Sequence, residues 1–320
     1  MNLLEQLKQY STVVADTGEI QSIREYKPQD ATTNPSLLLK AAQKQEYRYL
    51  VENALQHYEK KCKTEEDLAP FLEKLAINFA IEILKIIPGR VSVEVNASLS
   101  FDTAGTIETA RRLIGMFEEN GVDRDRILIK IASTWEGFRA AEQLEKEGIH
   151  CNLTLMFSFP QAVAATQANV TLVSPFVGRI LDWHKANRGV DHIPPEEDPG
   201  VESVQTIYNY FKKFDYDTEI MGASFRNSGE LLQLAGCDLL TISPKLLKEL
   251  HETEGIVERK LDPKQAKSLD IEKLELDEKT FRWMLNENAM ATEKLAEGIR
   301  RFYADWRKLS RYIWDNFCKK

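Results

Sequence analysis

The sequence predicts an α/β fold, a (β/α)8 TIM barrel with a helical insertion after strand 2 and extra helices at its C-terminal end. Three observations predict it. Eight short β-forming runs alternate mostly with helical stretches, an order that argues for a parallel sheet. The 320 residues exceed the roughly 250 that such a barrel needs. No Gly-x-Gly-x-x-Gly follows the first strand, which disfavours the runner-up, an open doubly wound sheet. Residues 1–320 are expected to form a single α/β barrel domain.

Residues 2–10 read as a short helix, and the run 13–17 as a strand stopped by Gly18. A helical piece over 19–26 leads to a second short strand, 30–35, that ends at Pro35. Ser36 is the expected cap of the next helix. Residues 45–87 are strongly helical, with Thr64 and Asp67 as a capping box, and form the insertion. Strand three is 91–97. A helix capped by Asp102 or Thr103 presents Ile107, Ala110, Leu113, Ile114 and Phe117 as one stripe and closes at Asn120-Gly121. Strand four is 127–132, followed by a helix capped by Thr134. Strands five to eight are 151–157, 171–178, 218–225 and 239–243, with helices at 159–168, 201–213 and 227–235, and a further helix reaching His251. A polar loop is expected over 184–200 and an irregular charged stretch over 255–275. Helix returns over 278–318 with a break near 286–288. Its stripe of Phe302, Trp306, Leu309, Ile313 and Phe317 reads as packing on the body, ahead of a subunit contact and, last, an aromatic ligand box.

Composition excludes several functions. The formal net charge is −8 and no basic stripe is present, so nucleic acid is not an expected partner. The N-terminus has no apolar signal segment, and no run approaches a membrane span. Cys62, Cys151, Cys237 and Cys318 are scattered, which suits reduced thiols in a cytoplasmic protein. The five histidines are scattered too, with His184 and His192 sharing the 184–200 loop, so no metal is expected.

The run Ile127-Leu128-Ile129-Lys130-Ile131-Ala132 places a lysine within β-formers. On its own it has two readings. Lys130 either lies at the strand end and snorkels to water, or is desolvated, which favours the neutral and nucleophilic amine. The other strands weigh on this choice by parity. Alternation places Asp16, Asn34, Glu94, Lys130, Asn152, Thr154, Ser174 and Arg226 on the inward side towards the strand ends. Barrel interiors are usually filled by Val, Ile and Leu, and active sites lie at the C-terminal mouth. A polar plug remains the bland alternative, but a lysine ringed by carboxylates and hydroxyls suits Schiff-base chemistry. Asp16 and Glu94 are then the candidates for moving protons. Asn34, Asn152, Thr154 and Ser174 supply neutral hydrogen bonds for a polyol. Arg179 and Arg226, just after strands six and seven, suit a phosphate, although each alone reads equally well as a surface ion pair.

At these residues the chain resembles the transaldolases, Schiff-base enzymes of the pentose phosphate pathway. The resemblance is carried by Asp30-Ala-Thr-Thr-Asn-Pro-Ser-Leu-Leu38, Ile127-Leu-Ile-Lys-Ile-Ala-Ser-Thr-Trp-Glu-Gly137 and Cys151-Asn-Leu-Thr-Leu155. Ser174-Pro-Phe-Val-Gly-Arg-Ile-Leu-Asp-Trp183 and Met221-Gly-Ala-Ser-Phe-Arg-Asn227 extend it. It implies that a dihydroxyacetone unit is moved between sugar phosphates through a Schiff base on Lys130. Asp16 is implied as acid/base for the aldol cleavage, and Glu94 with Thr154 and a water for proton transfers at the imine. Asn34, Asn152 and Ser174 would hold the dihydroxyacetone moiety, Arg179, Ser224 and Arg226 the phosphate, and Phe176 would line the pocket. No metal or organic cofactor is implied, and a homodimer is expected. One departure is visible: the family usually reads Asp-Ala-Arg where this chain has Asn96-Ala97-Ser98. Taken as sharing a strand face, Asn96 and Ser98 would leave the surroundings of Lys130 less acidic, or else be an electrostatically neutral swap.

Overall fold

The computed structural model describes residues 1–58 and 64–319. Eight parallel strands close into a barrel in sequence order. They are β1 (Thr12–Asp16), β2 (Asp30–Thr32), β3 (Val91–Glu94), β4 (Ile127–Ala132), β5 (Cys151–Met156), β6 (Leu172–Pro175), β7 (Glu219–Gly222) and β8 (Leu239–Ile242). The register pairs β8 with β1, so the sheet has no free edge. The insertion after β2 comprises the helices Arg48–Tyr58 and Ala69–Leu84, with Thr64 and Asp67 forming the expected capping box between them.

Strand alternation divides the apolar residues into two sets. Val13, Ala15, Val93, Ile129, Ile131, Leu153 and Val173 face outwards into the main core shared with the helices. Val14, Leu128, Leu172, Met221 and Leu239 face inwards and form a separate buried cluster that fills the lower barrel. Two residues further along, each inward position lies one pleat nearer the C-terminal mouth. There the side chains turn polar: Asp16 above Val14, Lys130 above Leu128, Ser174 above Leu172, Thr241 above Leu239.

Several boundaries differ from the expectations. The helix after β2 is Pro35–Ala42, and Asn34, not Ser36, caps it by accepting from the Leu37 amide at 3.0 Å. The reason is Pro35, whose fixed φ and missing N–H suit the first helical position and put the cap one residue earlier. β3 ends at Glu94, and Asn96 caps a short 3-10 turn, Ala97–Leu99, by accepting from the Ser98 amide. β6 and β7 stop at Pro175 and Gly222. A helix, Val177–Arg188, occupies the first part of the expected polar loop and carries His184. The helix over 278–318 is broken at Asn288, which caps Ala289–Ile313. Cys62 lies outside the described residues. Among the described residues no helix is long and apolar enough to cross a membrane.

The orientation of β4 has a measurable consequence. Ile131 is buried on the helix-facing side, next to Lys130 in sequence but on the opposite face of the sheet. Ile131→Ala is expected to lower stability by about 2–5 kcal/mol in denaturant titration. Unchanged stability would contradict the assigned faces.

Candidate active site

Parallel register brings three inward residues to one level. Glu94 pairs with Lys130, and Lys130 with Asn152, so a carboxylate, an amine and an amide stand side by side on β3, β4 and β5. The Lys130 Nζ is 3.9 Å from Glu94 Oε2 and 3.5 Å from the Thr33 carbonyl, and both side chains are 6% exposed. Snorkelling to water is therefore not its arrangement. Asn152 donates to Ser92 Oγ at 3.0 Å and accepts from Ser174 Oγ at 2.5 Å, which fixes its amide orientation. On the other side, Asp16 accepts from Thr32 Oγ1 at 3.0 Å, and Thr32 is 2.8 Å from Thr241 Oγ1.

Burial dominates the electrostatics. Desolvation raises the Asp16 carboxyl above its ordinary value, with Lys130, the Thr32 hydroxyl and Arg179 pulling it back. Desolvation also pushes Glu94 up to about 7, opposed by Lys130 and Arg179 and reinforced by the Asp16 charge. Two carboxyls that hold protons this readily beside one amine suit general acid/base work. Glu94 Oε2 and Thr154 Oγ1 are buried without a hydrogen-bond partner. Such atoms are costly unless a ligand or solvent group meets them, so both are available to one.

A cavity of about 290 Å³ opens above this level at the C-terminal mouth. Asp16, Asn34, Lys130, Ser174, Phe176, Arg179, Ser224 and Arg226 line it. Glu94, Asn152 and Thr154 are not part of its wall. Arg179 has no carboxylate within ion-pair distance among the described residues, and its guanidinium lies over the rings of Phe176 and Phe302 at 5.0 and 5.4 Å. Burial and the nearby Arg301 and Arg226 lower its pKa, so the like charges favour an anion between them. Arg226 differs: it forms an ion pair with Asp182 at 2.7 Å and reaches Ser224 Oγ at 3.3 Å. Both alternatives for this arginine, cavity wall and ion pair, are thus present together. Neither it nor Ser224 belongs to β7; Ser224 has φ 64°, a left-handed conformation that re-aims the chain after Gly222 and breaks the alternation expected there. Gly178 makes this approach possible, because a Cβ there would lie 2.3 Å from the Ser224 carbonyl oxygen.

Sequence reasoning missed three contributors. Thr241 on β8, which parity puts on the inward face, and Ser243 just beyond it line the cavity, as does Phe302 from the apolar stripe of the C-terminal helix. The stripe does pack on the body through Trp306, Leu309 and Ile313, but its first member reaches over the mouth, where Asp305 accepts a short hydrogen bond from Ser36. The reading of Asn96 and Ser98 also changes. Beyond the end of β3 they line a separate groove with Tyr303 and Arg307, not the cavity around Lys130.

The chain is similar to known proteins over nearly its whole length. A family model described as Transaldolase/Fructose-6-phosphate aldolase matches residues 13–313. A transaldolase of Protochlamydia amoebophila (strain UWE25) is 58% identical over 313 residues, covering 98% of this chain and 97% of the relative. The Homo sapiens transaldolase is 58% identical over 312 residues, covering 97% and 93%. That of Marinobacter nauticus is 59% identical over 311 residues, covering 97% of each.

Two outcomes follow from the site. The folded Glu94 value lies above that of an exposed glutamate, so its contribution to stability is present below the ordinary 4.5 and is lost as pH rises through about 7. The melting temperature of Glu94→Gln minus that of the unsubstituted chain should therefore grow more positive as pH rises through that range; a flat difference would refute a buried, proton-holding carboxyl. Because Asn96 and Ser98 stand apart from the cavity, Asn96→Asp combined with Ser98→Arg is expected to change kcat by less than about tenfold. A larger change in a sugar-phosphate transfer assay would return those positions to the active site.

Proposed function

The chain belongs to the transaldolase/fructose-6-phosphate aldolase family, and on that premise we propose how its own residues divide the reaction. It is an enzyme with transaldolase activity, moving a dihydroxyacetone unit from sedoheptulose 7-phosphate to glyceraldehyde 3-phosphate to give erythrose 4-phosphate and fructose 6-phosphate. The observation that supports Lys130 as nucleophile is its buried amine 3.9 Å from Glu94 within the barrel.

Lys130 attacks the donor ketone to form a carbinolamine. Glu94, with Thr154 and a water, supplies the proton with which the hydroxyl leaves as water, giving an iminium. Asp16 then takes the proton from the hydroxyl on the carbon that becomes the aldehyde. The C–C bond breaks, its electron pair passes into the iminium to form an enamine, and the aldose departs. The enamine attacks the acceptor aldehyde, Asp16 returns its proton to the new alkoxide, and hydrolysis frees Lys130. Asn34, Asn152 and Ser174 hold the dihydroxyacetone hydroxyls. Ser224, Arg179 and Arg226 bind the phosphate, a role favoured by the cavity position of both arginines. Phe176 forms the apolar wall.

Residues 1–320 act as one domain, a reading supported by a hydrophobic core that runs continuously from Leu3 to Ile313. The net charge of −8 argues against a nucleic-acid partner. The buried thiols of Cys151 and Cys237 favour a cytoplasmic setting. Assembly as a homodimer would cover some of the exposed apolar side chains, of which Trp283 is 61% and Phe101 65% exposed.

Borohydride reduction in the presence of fructose 6-phosphate should leave a stable dihydroxyacetone adduct on Lys130, found by peptide mass spectrometry. Absence of the adduct there removes the assigned nucleophile. In the same preparation, transfer to erythrose 4-phosphate should exceed release of free dihydroxyacetone; the reverse would identify an aldolase that splits fructose 6-phosphate without an acceptor.

A further inference from the structure

Away from Lys130, two carboxyls meet inside the protein. Asp198 is 1% and Glu230 0% exposed. Asp198 Oδ1 caps the helix Pro199–Lys213 by accepting from the Gly200 amide at 2.7 Å. Glu230 Oε2 accepts from the Arg226 amide at 2.6 Å, and the Asn227 amide also reaches this carboxylate. The two side chains are hydrogen-bonding neighbours, yet Asp198 Oδ2 and Glu230 Oε1 are both buried acceptors without a donor. A single proton held between them satisfies both; two bare carboxylates in contact would repel at low dielectric.

Their position gives the pair a role. Glu230 pins the backbone of Arg226, the residue proposed above to bind phosphate. Asp198 pins Gly200, whose Cα faces the Val177 carbonyl so closely that a Cβ there would lie 2.2 Å from that oxygen. Val177 begins the helix carrying Arg179. One carboxyl is thus tied to the loop of each arginine. We propose that the proton-sharing pair Asp198–Glu230 is the positioning element of the phosphate subsite, holding the Arg179 and Arg226 segments at their working separation, and that loss of the proton loosens the grip on phosphorylated substrates.

This rests on the assignment of Arg179 and Arg226 to phosphate. His184 on the Arg179 helix is the charged neighbour of Asp198, with Arg188 and Glu202 acting in turn on His184, while Arg226, whose amide Glu230 holds, pairs its side chain with Asp182. Burial holds His184 below its ordinary 6.5, so it is neutral above that pH and does not offset a second negative charge. Desolvation first, and then Asp198, raise the Glu230 carboxyl, and burial likewise raises Asp198. The shared proton is therefore lost above the ordinary carboxylate range, and the subsite weakens as pH rises.

The test compares KM for fructose 6-phosphate with KM for unphosphorylated fructose, using glyceraldehyde as acceptor, below and above about pH 7. In the unsubstituted enzyme the preference for the phosphorylated donor should fall roughly three- to tenfold with rising pH, while kcat for fructose follows only the Lys130 chemistry. Glu230→Gln keeps an acceptor for the Arg226 amide and offers a permanent N–H to Asp198, so its preference should stay high and vary with pH only through the substrate phosphate. Asp198→Asn should behave alike and serves if the first variant does not fold. Titration of the substrate phosphate affects all forms equally and cancels. A preference that falls with pH equally in the variants, or that does not fall in the unsubstituted enzyme, overturns the proposal. Arg226→Ala separates this from its premise: if that variant retains the full phosphate preference, the phosphate assignment itself has failed.

Discussion

An amine buried beside a carboxyl in the middle of a closed sheet is the constraint on which the rest of the structure depends. Taking Lys130 and Glu94 out of water is costly, and attraction across 3.9 Å does not by itself repay it. Lys130 meets the Thr33 carbonyl, and two hydrogen-bonded chains fixed by register, Ser92–Asn152–Ser174 and Asp16–Thr32–Thr241, flank the pair while Glu94 Oε2 stays without a hydrogen-bond partner. Below lies the apolar plug of Val14, Leu128, Leu172, Met221 and Leu239, which keeps water from entering beneath. The polar level costs stability, and the outward-facing aliphatic residues of the same strands carry the compensating burial.

The mouth is assembled on a second principle, close backbone approach. Gly178 against Ser224, Gly200 against Val177, and left-handed Ser224 bring loops from β6 and β7 together so that two arginines share one cavity. The C-terminal helix completes the wall. Phe302 stacks on Arg179, and Asp305 one turn later bonds Ser36. β5 has its own irregularity at Leu155, φ 54°, where the register shifts between Leu153 and Met156. Gln161 holds this bulge by donating to the Leu155 and Ser133 carbonyls while accepting from the Phe157 and Ser158 amides. The bulge lies directly after Thr154, so the shift ends where a buried hydroxyl without a hydrogen-bond partner is presented.

Alternation and capping were legible where the backbone is regular. Lys130 on its inward face, Ile129 and Ile131 on the other, and the caps Asp102 and Thr134 all follow from periodicity and local hydrogen bonding. The two-residue repeat does not extend to Asn96, Ser98, Ser224 and Arg226, because each lies just beyond a strand end; Asn96 and Ser98 leave the cavity, whereas Ser224 and Arg226 still line it. Phe302 escaped because a helical stripe states which residues are apolar, not how far along the helix the body ends and the cavity begins.

What the sequence by itself determined is the strand and helix order, the inward polar set and the family motifs, since these rest on local periodicity and side-chain chemistry. Which of those residues meet was decided only by the closed sheet. Parallel register set Glu94, Lys130 and Asn152 at one height, and loop packing joined Asp198 to Glu230 across separate βα units. Periodicity is a property of neighbours along the chain, whereas register and burial depend on strands that are far apart in it.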